Sequence, residues 1–275
     1  MLAKLIKHEF HATGRIMLPL FAIVLFISAL AHFAVNYMNS DLFVRNTPLR
    51  VISGITIALF VIGIMAVAIV SVVLMIQRFR TNILGDEGYL TMTLPSSVHG
   101  LLWAKIIVSV VWFALTAVVT VLALFILLFR IEFIKEMIES IKAVLQMING
   151  GVALNMTVVG IESLILAVVA GIVSCLTFYA ALSFGHGFAK HKMLYSVVFF
   201  FAASTILSWL TTSLLFHVDF EAFYFYTEGD AVHSSPDFMR IWHTYFGTAA
   251  VIELIHGAIY YVVTVLNLKH RLNLE

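Results

Sequence analysis

The chain contains few of the residues and motifs on which soluble enzymes and nucleic-acid-binding proteins depend. It has one cysteine, Cys175, in 275 residues, so no disulfide framework is available. Charged residues make up only 11% of the chain, and its net charge of +1 does not indicate a nucleic-acid-binding surface. The sequence also lacks a Walker A motif and a GxSxG motif, which are the signatures of a phosphate-binding loop and of a hydrolase nucleophile. If the protein uses ATP, another polypeptide must hydrolyse it.

The composition is instead that of a membrane protein. Hydrophobic residues account for 62% of the chain and the mean hydropathy is +1.04, whereas soluble domains carry about 25% charged residues. A transmembrane helix needs roughly 20 mostly apolar residues, and such segments are helical because lipid offers no partner for their backbone groups. We predict an all-α integral membrane protein with a single transmembrane domain over residues 1–275. Its six predicted spans are 16–35, 51–76, 101–129, 158–182, 193–216 and 245–268.

The distribution of lysine and arginine predicts the orientation of these spans. With the N-terminus inside, ten of the 16 Lys and Arg residues fall in inner segments, as the positive-inside rule requires. Both termini and the segment Gln77–Lys105 are then cytoplasmic. The first apolar run could also be a signal peptide cleaved after Ala29-Leu30-Ala31. We favour a retained span, because the run continues to Val35.

The N-terminal 15 residues have an amphipathic pattern. Leu2, Leu5, Ile6 and Phe10 recur at close to helical spacing, and the lysines and histidines lie mostly on the rest of the helical wheel. This pattern predicts a short elbow helix over residues 1–15 in the inner headgroup plane. The alternative is a solvated terminus without a fixed structure.

Two predicted outer segments are also patterned. Residues 130–149 have isoleucine and leucine at helical spacing, which predicts an amphipathic helix on the outer leaflet or a prolongation of the third span. The loop 217–243 is rich in aromatic and acidic residues. It would either re-enter the outer leaflet as a hairpin or rest at the headgroups as an interfacial aromatic belt. The sequence leaves both possibilities open.

The segment Gln77–Lys105 is the most informative part of the chain. It is too polar to cross a bilayer, and its residues suggest a folded structure: it turns at residues 85–88 and then runs through Tyr89 and Leu90 to Pro95. A membrane protein with a folded cytoplasmic loop offers that loop to a soluble partner. The alternative is an ordinary charged inner loop.

Two carboxylates fall within predicted spans, Glu162 in the fourth and Glu253 in the sixth. An ionisable residue inside the membrane is a functional-site hypothesis by default. Glu253 stands one helical turn before His256, and Glu-x-x-His can ligate metals, but a di-metal site needs a second such pair, which the sequence lacks. We therefore expect no metal or catalytic site. A hydrogen-bonded pair, or a contact across a subunit interface, is the favoured interpretation of Glu253 and His256.

The order of elements and two patches of sequence resemble a known family. Residues 85–95 read GDEGYLTMTLP, and residues 4–10 read KLIKHEF and are followed by Thr13-Gly14-Arg15. Both patches, together with the predicted elbow and six spans, are similar to the permease subunits of bacterial six-span ABC exporters of the ABC-2 type. The architectural resemblance covers the whole chain, whereas the sequence resemblance covers mainly these two patches.

This resemblance implies a function and a set of partners. The chain would be a permease and not an enzyme, and it would hold no cofactor itself. Two ATPase subunits would bind ATP and Mg²⁺, and a second permease chain, identical or related, would complete the complex in the bacterial cytoplasmic membrane. A coupling helix over Thr81–Ser97 would dock on the ATPase, and Gly185–Lys192 would make a smaller contact. The expected contact residues are Asp86, Glu87, Tyr89, Leu90 and Leu94.

The resemblance does not identify the substrate. Peptide antibiotics, lipids and drugs all suit an apolar path between two permease chains, and export for resistance to antimicrobial peptides is the expectation by analogy. Two other classes stay open. A stand-alone secondary transporter or channel would have internal repeats and charges in matching places, and a membrane enzyme or immunity protein would have converging catalytic groups.

Overall fold

Six long helices make up most of the computed structural model. They are α1 Leu2–Met38, α2 Thr47–Phe79, α3 Val98–Leu127, α4 Ala153–Gly185, α5 Lys192–Leu215 and α6 Phe238–His270. All six are long and apolar enough to cross a membrane, which confirms the prediction of a helical protein with six spans. The residues that the structure describes are 2–38, 47–85, 88, 97–129, 135–140, 142, 153–188, 190–215, 225–228, 231–234 and 238–270.

The chain divides by its contacts into two compact units, of which the first comprises Met1–Phe79 and Pro95–Lys135. Its three helices are α1, α2 and α3. Helix α1 packs against both α2 and α3, which pack less closely against each other. A hydrogen bond between the hydroxyls of Ser71 and Thr116, 2.9 Å apart, joins α2 to α3 within the packed interior. The buried apolar cluster consists of Met17, Phe21, Val24, Ala31, Phe60, Val67, Leu74, Val108, Trp112 and Ala123.

Helix α1 is continuous through the region predicted as an elbow. It begins at Leu2 and runs to Met38 with Pro19 inside it, so residues 2–15 are its first turns and do not form a separate helix. Ile6 and Phe10 pack against the apolar cluster of the first unit. The amphipathic pattern is therefore accounted for by packing against the protein's own helices, and an interfacial elbow is not confirmed.

The second unit comprises Arg80–Leu94 and Glu136–Glu275, and it contains α4, α5 and α6. Helix α4 packs against both α5 and α6, and α5 and α6 pack less closely against each other. Aromatic rings stack between α4 and α5, with centroids 4.6 Å apart for Phe178 and Phe200. Gly257 of α6 lies close to α4, because a Cβ at that position would come within 3.1 Å of the side chain of Val173.

Residues Arg80–Leu84 continue α2 as a short π-helix, and they belong to the second unit. Ile83 and Leu84 are buried. Helix α3 then begins after Ser97, whose hydroxyl caps it by accepting a hydrogen bond from the Gly100 backbone N–H at 3.2 Å. Most of the predicted coupling helix, Thr81–Ser97, lies outside the described residues.

A short antiparallel hairpin precedes α6. Its strands are β1 Phe225–Glu228 and β2 Ala231–Ser234, paired so that Phe225 faces Ser234 and Glu228 faces Ala231. The sequence analysis predicted a re-entrant hairpin or an interfacial belt in this loop, and the position of the loop relative to a membrane stays a prediction. In the amphipathic segment 130–149, residues 135–140 are helical.

Candidate functional site

A buried ion pair joins the helices of the first unit. Lys105 of α3 donates a hydrogen bond from Nζ to Glu9 Oε1 of α1 at 2.7 Å, and the two side chains are only 5% and 15% exposed. The same ammonium group donates to the backbone carbonyl of Arg78, in the last turn of α2, at 3.2 Å. Carbonyls at a helix C-terminus carry partial negative charge and attract cations. The Lys105 side chain thus joins α3 to both α1 and α2.

The bond to Arg78 fixes the two ends of the predicted coupling segment. Arg78 and Lys105 are 27 positions apart in sequence. Arg78 stands just before the end of α2, and Lys105 stands in the third turn of α3. The end of α2, before the predicted coupling segment, and α3, after it, are therefore held together by a charge-assisted hydrogen bond, which is stronger than a bond between neutral groups.

An aromatic cluster lies next along α1 and α3 from this ion pair. The indole Nε1 of Trp112 donates to the Thr13 hydroxyl at 2.7 Å, and that hydroxyl donates to the Glu9 carbonyl at 2.8 Å. The rings of Phe10 and Phe21 each lie 5.9 Å from the Trp112 ring. The hydrogen bonds continue from the backbone of Glu9 to Trp112 among apolar side chains, so the first third of α1 is joined to the middle of α3.

In the second unit, a tight turn connects α4 to α5. Gly185 ends α4 in close contact with the start of α5: an added Cβ would overlap the Ser196 hydroxyl and approach the Lys192 carbonyl. His191, just before α5, has a φ of 55°, in the left-handed region. This turn belongs to the segment Gly185–Lys192, for which the sequence analysis predicted the smaller contact with an ATPase.

His186 links this turn to the start of the predicted coupling segment. Its Nδ1 donates to the Leu182 carbonyl at 2.8 Å, and the side chain is buried. Burial lowers the pKa of His186, and the nearby charges of Lys192 and Arg80 lower it further, against the opposing effect of the hydrogen bond to Leu182. Arg80 opens the π-helical turn, so the start of that turn lies close enough to His186 to act on it electrostatically.

The residues predicted to contact an ATPase are outside the described part of the chain. They are Asp86, Glu87, Tyr89, Leu90 and Leu94. Of the predicted turn over residues 85–88 the structure describes the two ends, where the Gly88 backbone N–H donates to the Gly85 carbonyl at 2.8 Å. Gly88 itself is buried.

Glu162 forms hydrogen bonds with two side chains of α6. Its Oε2 accepts from Trp242 Nε1 at 2.7 Å, and its Oε1 lies 2.9 Å from His243 Nδ1. Glu162 is five residues from the start of the apolar part of α4, and Trp242 and His243 are within the first turns of α6. The carboxylate thus joins the two helix ends, which accounts for it as a structural group.

Glu253 lies at half the length of α6 and is partly buried. It accepts no hydrogen bond from any residue that the structure describes, although His256 interacts with it electrostatically. His256 is buried, and its Nδ1 is 2.8 Å from the Ile252 carbonyl. The prediction of a hydrogen-bonded Glu253–His256 pair therefore stays a prediction. A charged group at the centre of a span costs on the order of 3 kcal/mol on insertion scales, so Glu253 requires an explanation.

Sequence reasoning missed the Glu9–Lys105 pair. It counted Lys105 among the inner charges and treated Glu9 as part of a resemblance patch. A signal was present, because Lys105 stands inside an apolar run and Glu9 is an acid among basic residues. A pair 96 positions apart nevertheless needs the packing of α1 on α3 to be known.

Within the described ranges, no three His, Cys, Asp or Glu side chains are grouped so that they could hold a metal ion. Polar side chains cluster around Lys105, around His186 and around Glu162. In none of these clusters is a nucleophile paired with a base. Comparison with protein-family models, with curated proteins and with solved structures found no match.

Proposed function

We propose that the chain is the membrane-spanning subunit of an ATP-driven ABC exporter whose ATPase is a separate polypeptide. In this proposal both termini and the segment Gln77–Lys105 face the cytoplasm. The observation that carries the proposal is the course of residues Arg80–Leu84, which continue α2 as a π-helix but belong by their contacts to the second unit. Most of the GDEGYLTMTLP patch, which resembles the permeases of this class, lies in the same segment.

A force applied to this segment has a path into each unit. Ile83 and Leu84 are buried in the second unit, so displacement of the segment would move the helices around them. Helix α2 runs directly into the segment, and Lys105 ties the end of α2 to α1 and α3. A rigid attachment at its base allows the segment to transmit a push, which a loosely attached loop could not do.

The ATPase supplies that push through differential binding. ATP-bound, closed ATPases would bind one arrangement of the segment more tightly than the other, and the equilibrium between two permease conformations would shift by that difference in affinity. The segment offers Asp86 and Glu87 for this contact. The turn Gly185–Lys192 adds the exposed groups of Lys190 and His191, so acidic and basic residues of a partner could both be paired.

The complex in this proposal contains two permease chains and two ATPase subunits, with the substrate path between the permeases. The substrate is hydrophobic or amphipathic, and self-protection by export of antimicrobial peptides is the proposed role. Because the six spans carry long exposed apolar faces, with Phe33, Phe201 and Trp209 among the most exposed side chains, such a path would be continuous with lipid.

The experiment that tests this function replaces Glu87 with arginine in the complex reconstituted in proteoliposomes. Reversal of charge at the docking segment should uncouple ATP hydrolysis from transport while membrane insertion is unchanged. Glu139→Arg is the control, because Glu139 is exposed on the helical stretch 135–140, which lies on the opposite side of the membrane in this proposal. Equal transport and equal stimulation of the ATPase in both variants would contradict a docking role.

One observation favours a second candidate, a secondary transporter without an ATPase. The two units have the same internal order, because in each the first helix packs against both of the others. Three spans followed by three spans is the layout of an inverted repeat, in which many secondary transporters bind their substrate near the bilayer midplane. Against it, the mid-span Glu253 has no acidic or basic counterpart halfway along α3. Transport by the chain alone, driven by an ion gradient, would establish this alternative.

A further inference from the structure

Glu253 of the second unit lies far from both ends of α6, and none of the contacts described above accounts for a carboxylate there. It is residue 16 of the 33 in α6, which places it about 22 Å from one end of the helix and about 26 Å from the other at 1.5 Å per residue. Between Arg240 and Lys269 it is the only Asp, Glu, Lys or Arg in the helix. If α6 spans the bilayer, Glu253 lies near the midplane, where water does not solvate a carboxylate.

Glu253 stands on the packed side of α6. Buried residues form a stripe along α6 and recur at helical spacing on both sides of Glu253, at Ala249, His256, Tyr260 and Thr264. By contrast, Val251, Leu254 and Ile255 are 53–60% exposed and form the outward face. Glu253 itself is partly buried. It is therefore at the edge of the interior, within reach of a molecule that lies against the helix and also within reach of the polar groups along the stripe.

The polar side chains nearest to Glu253 along this stripe are those of His256 and Tyr260. Each already uses its donor group in a hydrogen bond and can only accept a further one. The Ile252 carbonyl can only accept, so His256 Nδ1 carries the proton of that hydrogen bond and Nε2 retains its lone pair in the neutral ring. The Tyr260 hydroxyl donates to the Ala203 carbonyl of α5 at 3.3 Å, which leaves its oxygen lone pairs. Together with the carboxylate of Glu253, the stripe presents three acceptors in two turns of helix.

We propose that Glu253, with His256 behind it, binds the ammonium or guanidinium group of a cationic amphipathic substrate. Such a group supplies the donors that the stripe lacks and neutralises the carboxylate, and charge-assisted bonds of this kind are the strong ones in an apolar setting. The apolar body of the same molecule would lie along the outward face of α6. That the bound molecule is a cargo rests on the proposed function, but its binding does not.

Binding can be measured on the whole chain without any ATPase. The chain is reconstituted in nanodiscs of phosphatidylcholine and titrated with dodecylamine that carries the dansyl group at the end opposite a free amine, which is cationic at neutral pH, and with dodecanol labelled in the same way. Energy transfer from tryptophan to dansyl reports binding. We expect the amine to bind about tenfold more tightly than the alcohol, and Glu253→Gln to reduce its affinity to that of the alcohol. Glu253→Asp, which keeps the acid, should retain most of the preference.

Glu162→Gln is the matched control, because Glu162 is also a carboxylate in a span but is already bonded to Trp242 and His243. It should leave the preference for the amine unchanged. Equal affinity of the wild-type chain for both probes would overturn the proposal, since it would mean that the Glu253 carboxylate makes no charge-assisted bond with the ammonium group. An unchanged preference in Glu253→Gln would overturn it too.

A third result separates recognition from assembly. If Glu253→Gln converts a dimer to a monomer in the nanodisc, Glu253 is a contact across a subunit interface and the proposal is wrong. The exporter function is judged separately, because no ATPase takes part in this measurement. A chain that shows no preference for the amine but purifies with an ATPase would still be an exporter. A chain that prefers the amine but purifies without an ATPase would have the cation site and would belong to another class of protein.

Discussion

Lys105 lies 2.7 Å from Glu9, a residue 96 positions earlier in the chain, and almost no solvent reaches the ammonium group between them. The same ammonium binds the backbone of α2 at Arg78. Together the two residues hold the first unit at the base of the segment that we propose as the contact with the ATPase.

Removal of the Lys105 charge should destabilise the protein strongly. Lys105→Met keeps most of the apolar side chain but leaves the Glu9 carboxylate, which is only 15% exposed, without its partner, and breaking such a buried pair costs about 3–5 kcal/mol. Unfolding in mixed micelles, followed by circular dichroism, would measure the change in the free energy of unfolding. Lys190→Met is the control, because Lys190 is exposed.

The double variant Glu9→Gln with Lys105→Met should recover much of that loss, because it removes the unpaired charge. If Lys105→Met alone is no less stable than Lys190→Met, the ion pair does not hold the three helices together. The coupling segment then has no rigid base.

The six spans could be predicted from the sequence because a long run of apolar residues directly indicates a segment that lies in lipid. It predicted residues 1–15 less well, because an amphipathic helix on lipid and one against protein have the same pattern. Ile6 and Phe10 pack on the apolar cluster around Trp112, and only the tertiary structure decides between the two. The polar clusters around Lys105 and His186 depend on helix packing for the same reason.

Gly185→Ala should destabilise the turn between α4 and α5. The new methyl group would overlap the Ser196 hydroxyl and crowd the Lys192 carbonyl, so the start of α5 must move away. Overpacking of this kind costs about 1–3 kcal/mol, measurable by the same unfolding experiment.

The control for that substitution is Gly160→Ala in the same helix. Nothing lies within 4 Å of a Cβ at Gly160, and alanine is favoured over glycine in a helix by up to about 1 kcal/mol. The two variants should therefore change stability in opposite directions. A Gly185→Ala protein as stable as Gly160→Ala would mean that the turn is not closely packed.

The stability of the protein should fall as the pH is lowered below about 6.5, the ordinary pKa of histidine. Burial, with Lys192 and Arg80 nearby, lowers the pKa of His186 in the folded state. Between the two pKa values the unfolded chain binds more protons at this residue than the folded chain does, so protonation favours unfolding as the pH falls.

His186→Gln removes this contribution, and its melting temperature should decline less between pH 7.5 and pH 5 than that of the wild-type protein. His8→Gln serves as the control because His8 is exposed, and it should follow the wild-type protein. Parallel curves for all three proteins would show that His186 takes up its proton equally well in the folded state.

The composition of the native complex tests the central claim most directly. The chain, carrying a photo-crosslinking amino acid at position 87 or, as a control, at position 139, is purified from its own membranes under mild conditions, and the mass of the intact complex is determined. We predict two permease chains with two nucleotide-binding ATPase subunits, cross-linked from position 87 and not from position 139. A chain that purifies without any ATPase and transports its substrate on an ion gradient alone would contradict this account.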